Sequence, residues 1–251
     1  MEINSVHLGD CLELMKEIED KSIDMILCDL PYGTTACKWD TIIPFEPLWK
    51  QYKRIIKPNG AIVLTASQPF TSALVMSNPK MFRFSWVWDK KFAGNFALVK
   101  YQPMKTHEDI LVFSAKPCLY NPQITKREQP IKAGANKCLS DSSKIAHAKK
   151  EYDDKIYENK EPISIINISS RSDKRGQHPT QKPVALFEYL IKTYTNEGYL
   201  VLDNCAGSGT TAIACLNTNR NYILMEKEQK YYDIINERIK KHLQEQHNKI
   251  F

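Results

Sequence analysis

The chain has 251 residues, 42% of them hydrophobic and 25% charged, with a formal net charge of +6. That length and apolar share carry a full core and fit one α/β domain with an insert better than two independent domains. The modest positive charge suits a polyanionic partner without requiring one. No segment approaches the ~20 apolar residues that span a bilayer, and Met1 to Asp10 lacks a basic stretch followed by an apolar run, so neither membrane insertion nor secretion is expected.

The predicted elements alternate from the start. An apolar run from Ser5 leads through Gly9-Asp10 into a helical pattern over Cys11 to Glu19, and Ile23-Asp24-Met25-Ile26-Leu27-Cys28 follows as a strand. Phe45 to Ile56 is helical in period and is stopped by Lys57-Pro58-Asn59-Gly60, after which Ala61-Ile62-Val63-Leu64 forms a buried strand. Phe82 to Trp88 and Ile110 to Phe113 are further strands. Val184 to Tyr194 is a helix entered at Pro183. Tyr199 to Leu202, a helix from Thr210 to Leu216, the strand Tyr222 to Met225 and a charged helix complete the series. Seven strands alternating with helices imply a doubly wound, mostly parallel, seven-stranded sheet.

Between Cys118 and Gly176 polar residues crowd out the apolar periodicity over a span too long for an ordinary connection. This insert mixes Lys126, Arg127, Lys149, Lys150, Arg171, Lys174 and Arg175 with acids, a pattern open to two readings, a solvated loop or a nucleic-acid arm. The chain thus divides into residues 1–117, an insert over 118–176, and residues 177–251. The seven cysteines, Cys11, Cys28, Cys37, Cys118, Cys138, Cys205 and Cys215, are odd in number with no C-x-x-C pair. They are expected to be reduced thiols of a cytoplasmic protein, with no metal site and no disulfide framework.

Two strand-to-helix turns carry chemistry. Asp203-Asn204-Cys205-Ala206-Gly207-Ser208-Gly209-Thr210 brings glycines to a helix N-terminus, where backbone can approach a ligand and an anionic group is favoured. It lacks the lysine of a phosphate-binding loop and the third glycine of a dinucleotide fingerprint. A cofactor with an amino-acid carboxylate and a nucleoside, such as S-adenosylmethionine, fits what remains, although a G-x-G turn alone is also consistent with a plain tight turn. Glu226, ending the next strand, stands where an acid can accept hydrogen bonds from ribose hydroxyls or simply face solvent. The other turn, Asp29-Leu30-Pro31-Tyr32-Gly33, presents a carboxylate, a backbone carbonyl and an aromatic ring together. An exocyclic base amine is a poor nucleophile because its lone pair is delocalised into the ring. Two acceptors, the Asp29 carboxylate and the Leu30 carbonyl, can hold its hydrogens and aim that lone pair, while the Tyr32 ring stacks on the base.

Asp29-Leu30-Pro31-Tyr32 resembles the D-P-P-Y catalytic motif of amino-methylating DNA methyltransferases, and Asp203 to Thr210 resembles their cofactor loop. His178-Pro179-Thr180-Gln181-Lys182-Pro183 is similar to the segment preceding that loop. Catalytic motif, insert and cofactor loop come in an order similar to the β class, a circular permutation of the S-adenosylmethionine-dependent Rossmann-like fold. The resemblance implies Asp29, Leu30, Pro31 and Tyr32 as catalytic. It implies Asp10, Asp203, Cys205, Gly207, Ser208, Gly209, Thr210, Glu226, Thr180 and Lys182 as cofactor-binding, although Asp10 alone also suits a helix N-cap. Leu30 replaces the usual first proline, a loss of rigidity because only its carbonyl is used, and Asn204-Cys205 replaces a common Pro-Phe. Asp at the first motif position resembles the members that methylate adenine N6. The partner implied is double-stranded DNA, contacted by Lys90, Lys126, Arg127, Arg171 and Arg175, with a homodimer and a companion restriction endonuclease as further expectations. Trp86, Trp88 and Phe92 suit either the core or a flipped base. Alternatives are N4-cytosine methylation, a related methylase acting on RNA or protein glutamine, and a DNA-binding protein without activity.

Overall fold

The computed structural model describes residues 1–34, 40–132, 156–171 and 181–250. The chain begins with β1 (Ser5–Leu8), the short helix α1 (Cys11–Leu14) continued by a 3-10 turn, β2 (Ile23–Cys28), α2 (Phe45–Ile55) and β3 (Ile56–Ala66). Next come α3 (Phe70–Ser77), β4 (Phe82–Gly94) and β5 (Lys105–Phe113), then β6 (Thr125–Lys132), β7 (Ile156–Lys160) and β8 (Ile165–Asn167). The last elements are α4 (Val184–Tyr194), β9 (Leu200–Asp203), α5 (Thr210–Asn217), β10 (Asn221–Glu226) and α6 (Gln229–Ile250). No described helix is long and apolar enough to cross a membrane.

The larger sheet has the order β1-β10-β9-β2-β3-β5-β4-β8. The five strands from β1 to β3 are mutually parallel, β5 is antiparallel to both β3 and β4, and β8 is parallel to β4. The α/β doubly wound architecture is therefore as expected, but the described residues form eight strands in this sheet instead of seven. The added strand is Ile165–Asn167, paired to Val87–Asp89 of β4. Three residues are too few to show a period, and only the tertiary edge of β4, with Ile166 buried against it, selects them as strand. Lys57-Pro58-Asn59-Gly60 likewise lies inside β3, where the register with β2 shifts between Ile23 and Met25. A bulge accommodates the proline and turn residues that read as a helix stop.

All six residues of β2 are buried, as befits a central strand of a parallel sheet covered on both faces. Ile26 and Cys28 point into the core beneath α1, α2 and α3 with Trp49, Tyr52 and Leu64. Met25 and Leu27 point the other way, into the core with Leu186, Phe187, Ala212 and Ile235 from α4, α5 and α6. The one charge in the strand, Asp24, meets the Lys57 ammonium at 2.7 Å and accepts the Leu200 amide at 2.9 Å, so it is not left unpaired. Trp86 and Trp88 are core residues, with Nε1 donating to Tyr194 Oη (2.7 Å) and the Ile168 carbonyl (2.8 Å) respectively.

The chain separates into two compact units, one of Met1–Asn121 with Ser164–Phe251 and one of Pro122–Ile163. The smaller unit contains the antiparallel pair β6 and β7, in which Thr125 faces Lys160 and Ile131 faces Tyr157.

Candidate active site

β9 and β2 are adjacent parallel strands, paired through Met25 with Val201 and Ile26 with Leu202, so the turns leaving them emerge at the same sheet edge. This is the crevice position where ligands bind in open α/β sheets. One cavity of about 800 Å³ opens there, and it is lined by both Asp29 to Tyr32 and Asp203 to Ser208, together with Asp10, Lys182 and Glu226.

On the β2 side the Asp29 carboxylate is held from three directions. Oδ1 accepts the Tyr32 hydroxyl at 2.8 Å and the Thr65 hydroxyl, and Oδ2 accepts the Lys182 ammonium at 2.7 Å. Tyr32 stacks on Phe70 with centroids 5.1 Å apart, and the Lys182 ammonium lies 5.6 Å from the Tyr32 centroid. Burial, with the Asp29 charge beside it, pushes the Tyr32 phenol well above its ordinary range, so it remains a donor. Leu30 is buried among apolar side chains, which suits leucine at this position. Asp40 clamps the following turn by accepting the Gly33 amide at 2.8 Å and the Thr34 amide at 2.9 Å.

Lys182 extends the network. Its side chain is 8% exposed and its ammonium also lies 3.4 Å from Glu108 Oε2, while Glu108 Oε1 meets the Lys90 ammonium at 3.0 Å. Burial by itself would lower the Lys182 pKa; the carboxylates of Asp29 and Glu108 outweigh it, and the pKa is raised. Four alternating charges, Asp29, Lys182, Glu108 and Lys90, thus run along the cavity wall.

On the β9 side Asp203 is spent inside its own loop. Oδ1 accepts the Cys205 amide at 3.1 Å and Oδ2 accepts the Thr211 hydroxyl. Glu226 Oε2 accepts the Gly207 amide at 2.8 Å, and Oε1 accepts the amides of Lys227 and Glu228, each at 2.9 Å. Gly207 and Gly209 both have positive φ, 55° and 75°. A Cβ on Gly207 would meet nothing within 4 Å, whereas one on Gly209 would come 2.7 Å from Ile235. Gly207 therefore faces open cavity and Gly209 lets α6 pack close. The Ser208 hydroxyl donates to Gln181 Oε1 at 3.0 Å and the Thr210 hydroxyl donates to the Lys182 carbonyl at 3.2 Å, which ties this loop to the segment carrying Lys182. Asp10 caps α1 by accepting the Leu12 amide at 2.9 Å and also lines the cavity.

Burial raises the Asp203 carboxyl from 3.8 to about 6. A carboxyl raised on folding stabilises the fold only while protonated, so its contribution is full below pH 4 and is lost as pH rises toward 6, about 3 kcal/mol in all. Asp203→Asn removes that titration. Denaturant unfolding at pH 4 and pH 7 should show wild type losing stability relative to the variant by up to that amount; an equal difference at both pH values would refute it.

Residues 23–237 match the DNA methylase family (N6_N4_Mtase). The chain belongs to this family. It is 28% identical over 243 residues to the Type II methyltransferase M.HpaI of Haemophilus parainfluenzae, covering 92% of this chain and 72% of the relative. It is 27% identical over 245 residues to the DNA adenine methyltransferase YhdJ of Escherichia coli (strain K12), covering 92% and 80%. Among solved structures, the M1.HpyAVI-SAM complex superposes with a TM-score of 0.64 at 23% identity, covering 94% of this chain and 98% of that one. The cytosine-N4-specific PvuII DNA methyltransferase does so at 0.66 and 18%, covering 92% and 84%.

The other residues assigned from the sequence of this methylase take the following positions. Lys182, assigned to the cofactor side, places its ammonium on Asp29 and Glu108. Lys90, assigned to DNA, is 17% exposed and committed to Glu108. Arg171 lies with its guanidinium 3.9 Å from the Phe92 ring, and both line the cavity. Lys126 and Arg127 belong to the smaller unit, where Arg127 Nε donates to the Asn159 carbonyl at 2.9 Å. Thr180 and Arg175 lie outside the described residues. Thr65 and Glu108 carry no motif and were not legible; each reaches the site only because β3 runs beside β2 and β5 beside β3.

Proposed function

We propose that this methylase transfers the methyl group of S-adenosylmethionine to the exocyclic N6 of adenine at specific sites in double-stranded DNA. One observation carries the reading: the Asp29 turn and the Gly207 turn, about 180 residues apart in sequence, line one cavity. The cavity suits the cofactor. Gly207 leaves its approach open, and the acids Asp10 and Glu226 stand on the wall where nucleoside hydroxyls and amines need acceptors. The likeness to the M1.HpyAVI-SAM complex supports the same cofactor.

S-adenosylmethionine supplies a methyl made electrophilic by its sulfonium. Everything else is the work of the chain. Asp29 and the Leu30 carbonyl accept the amine's hydrogens and turn its lone pair toward that carbon; a C–N bond forms as the C–S bond breaks, and the nitrogen then sheds one proton through the Asp29 carboxylate. Thr65 and Tyr32 keep the carboxylate from rotating. Phe70 backs one face of Tyr32, and the other face serves as the stacking surface for an extruded base. Arg171 with Phe92 at the cavity wall, and the exposed Lys126 with Arg127 in the smaller unit, supply phosphate contacts. Adenine is favoured by Asp at the first motif position and by the name of YhdJ; the Type II names of the relatives favour a companion endonuclease.

Incubation with methyl-labelled cofactor and DNA, followed by digestion to nucleosides, should place the label in N6-methyladenine. Label in N4-methylcytosine, or in RNA or protein but not DNA, would replace this reading.

A further inference from the structure

We infer that Glu108 is a positioning residue which receives the Lys182 ammonium when the substrate amine engages Asp29. The inference rests on the amino-methyltransferase reading and extends it to a residue outside every motif.

Both hydrogen-bonding directions of Asp29 Oδ1 are taken by Tyr32 and Thr65, so an arriving amine must use Oδ2, where the Lys182 ammonium sits at 2.7 Å. Oδ2 has a second lone pair through which the amine can bind beside the ammonium. As the C–N bond forms, the amine nitrogen becomes cationic, and a fixed ammonium on the same oxygen opposes that charge while neutralising the carboxylate meant to stabilise it. Relief is built in. Glu108 Oε2 is buried without a hydrogen-bond partner and lies 3.4 Å from the Lys182 nitrogen. A small side-chain shift brings that gap to hydrogen-bond length. Glu108 is itself held by Lys90 through its other oxygen, and the Lys182 backbone is held through its carbonyl by Thr210, so only the lysine side chain needs to move. The ion pair with Asp29 sets the carboxylate before substrate arrives, and the pair with Glu108 stores the charge afterwards.

Glu108→Gln removes the anionic acceptor with little change of shape. Its kcat for DNA methylation should fall about 10- to 100-fold, with KM for DNA and Kd for S-adenosylmethionine within about threefold of wild type. Glu108→Asp, which retains the charge one methylene further back, should fall in between. Because Glu108 acts through Lys182, the double variant Lys182→Met/Glu108→Gln should be no slower than Lys182→Met alone; a merely structural role would add to the loss. Where Glu108→Gln does not fold, Glu108→Asp and its combination with Lys182→Met give the same comparison. The inference is overturned by folded Glu108 variants with wild-type kcat, by a defect confined to KM, or by additive losses. If wild type moves no methyl group to DNA, the functional reading has failed instead.

Discussion

Asp29→Ala should abolish methyl transfer, with kcat at least about 1,000-fold below wild type, while the Kd for S-adenosylmethionine stays within a few fold. Asp29 is the group on which the Tyr32 hydroxyl, the Thr65 hydroxyl and the Lys182 ammonium converge, so three side chains fix one carboxylate at the cavity wall. That convergence makes sense if the position of the carboxylate matters to a fraction of an ångström, as it must when it orients a weak nucleophile. None of these three side-chain contacts is made to the glycine turn, which is why donor affinity should survive. Alanine also strands a lysine that is 8% exposed, so lost activity could be confused with lost folding. Asp29→Asn retains an acceptor for Tyr32 and Thr65 but also loses the oxygen that meets Lys182, so thermal unfolding of both variants separates lost activity from lost folding. Single-turnover transfer and isothermal titration on both variants decide the matter. Activity near wild type in either one removes Asp29 from the reaction.

Gly207→Asp should raise the cofactor Kd about 100-fold or more with the fold intact. The backbone at Gly207 has φ of 55°, a region that Asp tolerates better than most side chains, and a Cβ there meets nothing within 4 Å. The fold therefore has room. The cost falls on the ligand, because the new carboxylate projects into the opening through which a carboxylate-bearing cofactor must approach, beside Glu226, whose Oε2 already accepts the Gly207 amide. Gly207→Asn has almost the same bulk and no charge, so the gap between the two variants measures the electrostatic part. Titration with S-adenosylmethionine, beside thermal unfolding of each variant, tests this; an unchanged Kd for the aspartate variant would place the donor elsewhere.

Much of this was legible in the sequence because it depends on local chemistry. The apolar run Ile23 to Cys28 must be covered on both faces, so a parallel central strand followed. Glycines at 207 and 209 need positive φ, and Asp29 with Tyr32 only three residues on can meet across one turn. The adjacency of the two turns was also foreseeable, since strands ending at Asp29 and Asp203 had to be neighbours for either to be useful. What eluded the sequence were interactions with no local signature. Ile165–Asn167 becomes strand only because β4 offers an edge. The sequence assigns Lys182 to the cofactor and Lys90 to DNA, and the fold turns both toward Glu108.

The sequence by itself determined the class of fold, the two turns and the type of chemistry, because strand period, turn geometry and motif spacing are properties of neighbouring residues. Tertiary structure alone decided which donors hold Asp29 and which carboxylate waits beside Lys182. Those partners lie 36 and 153 residues from Asp29, and 74 residues separate Glu108 from Lys182. A charge reveals its role only when the fold has chosen its neighbours and removed the water around it.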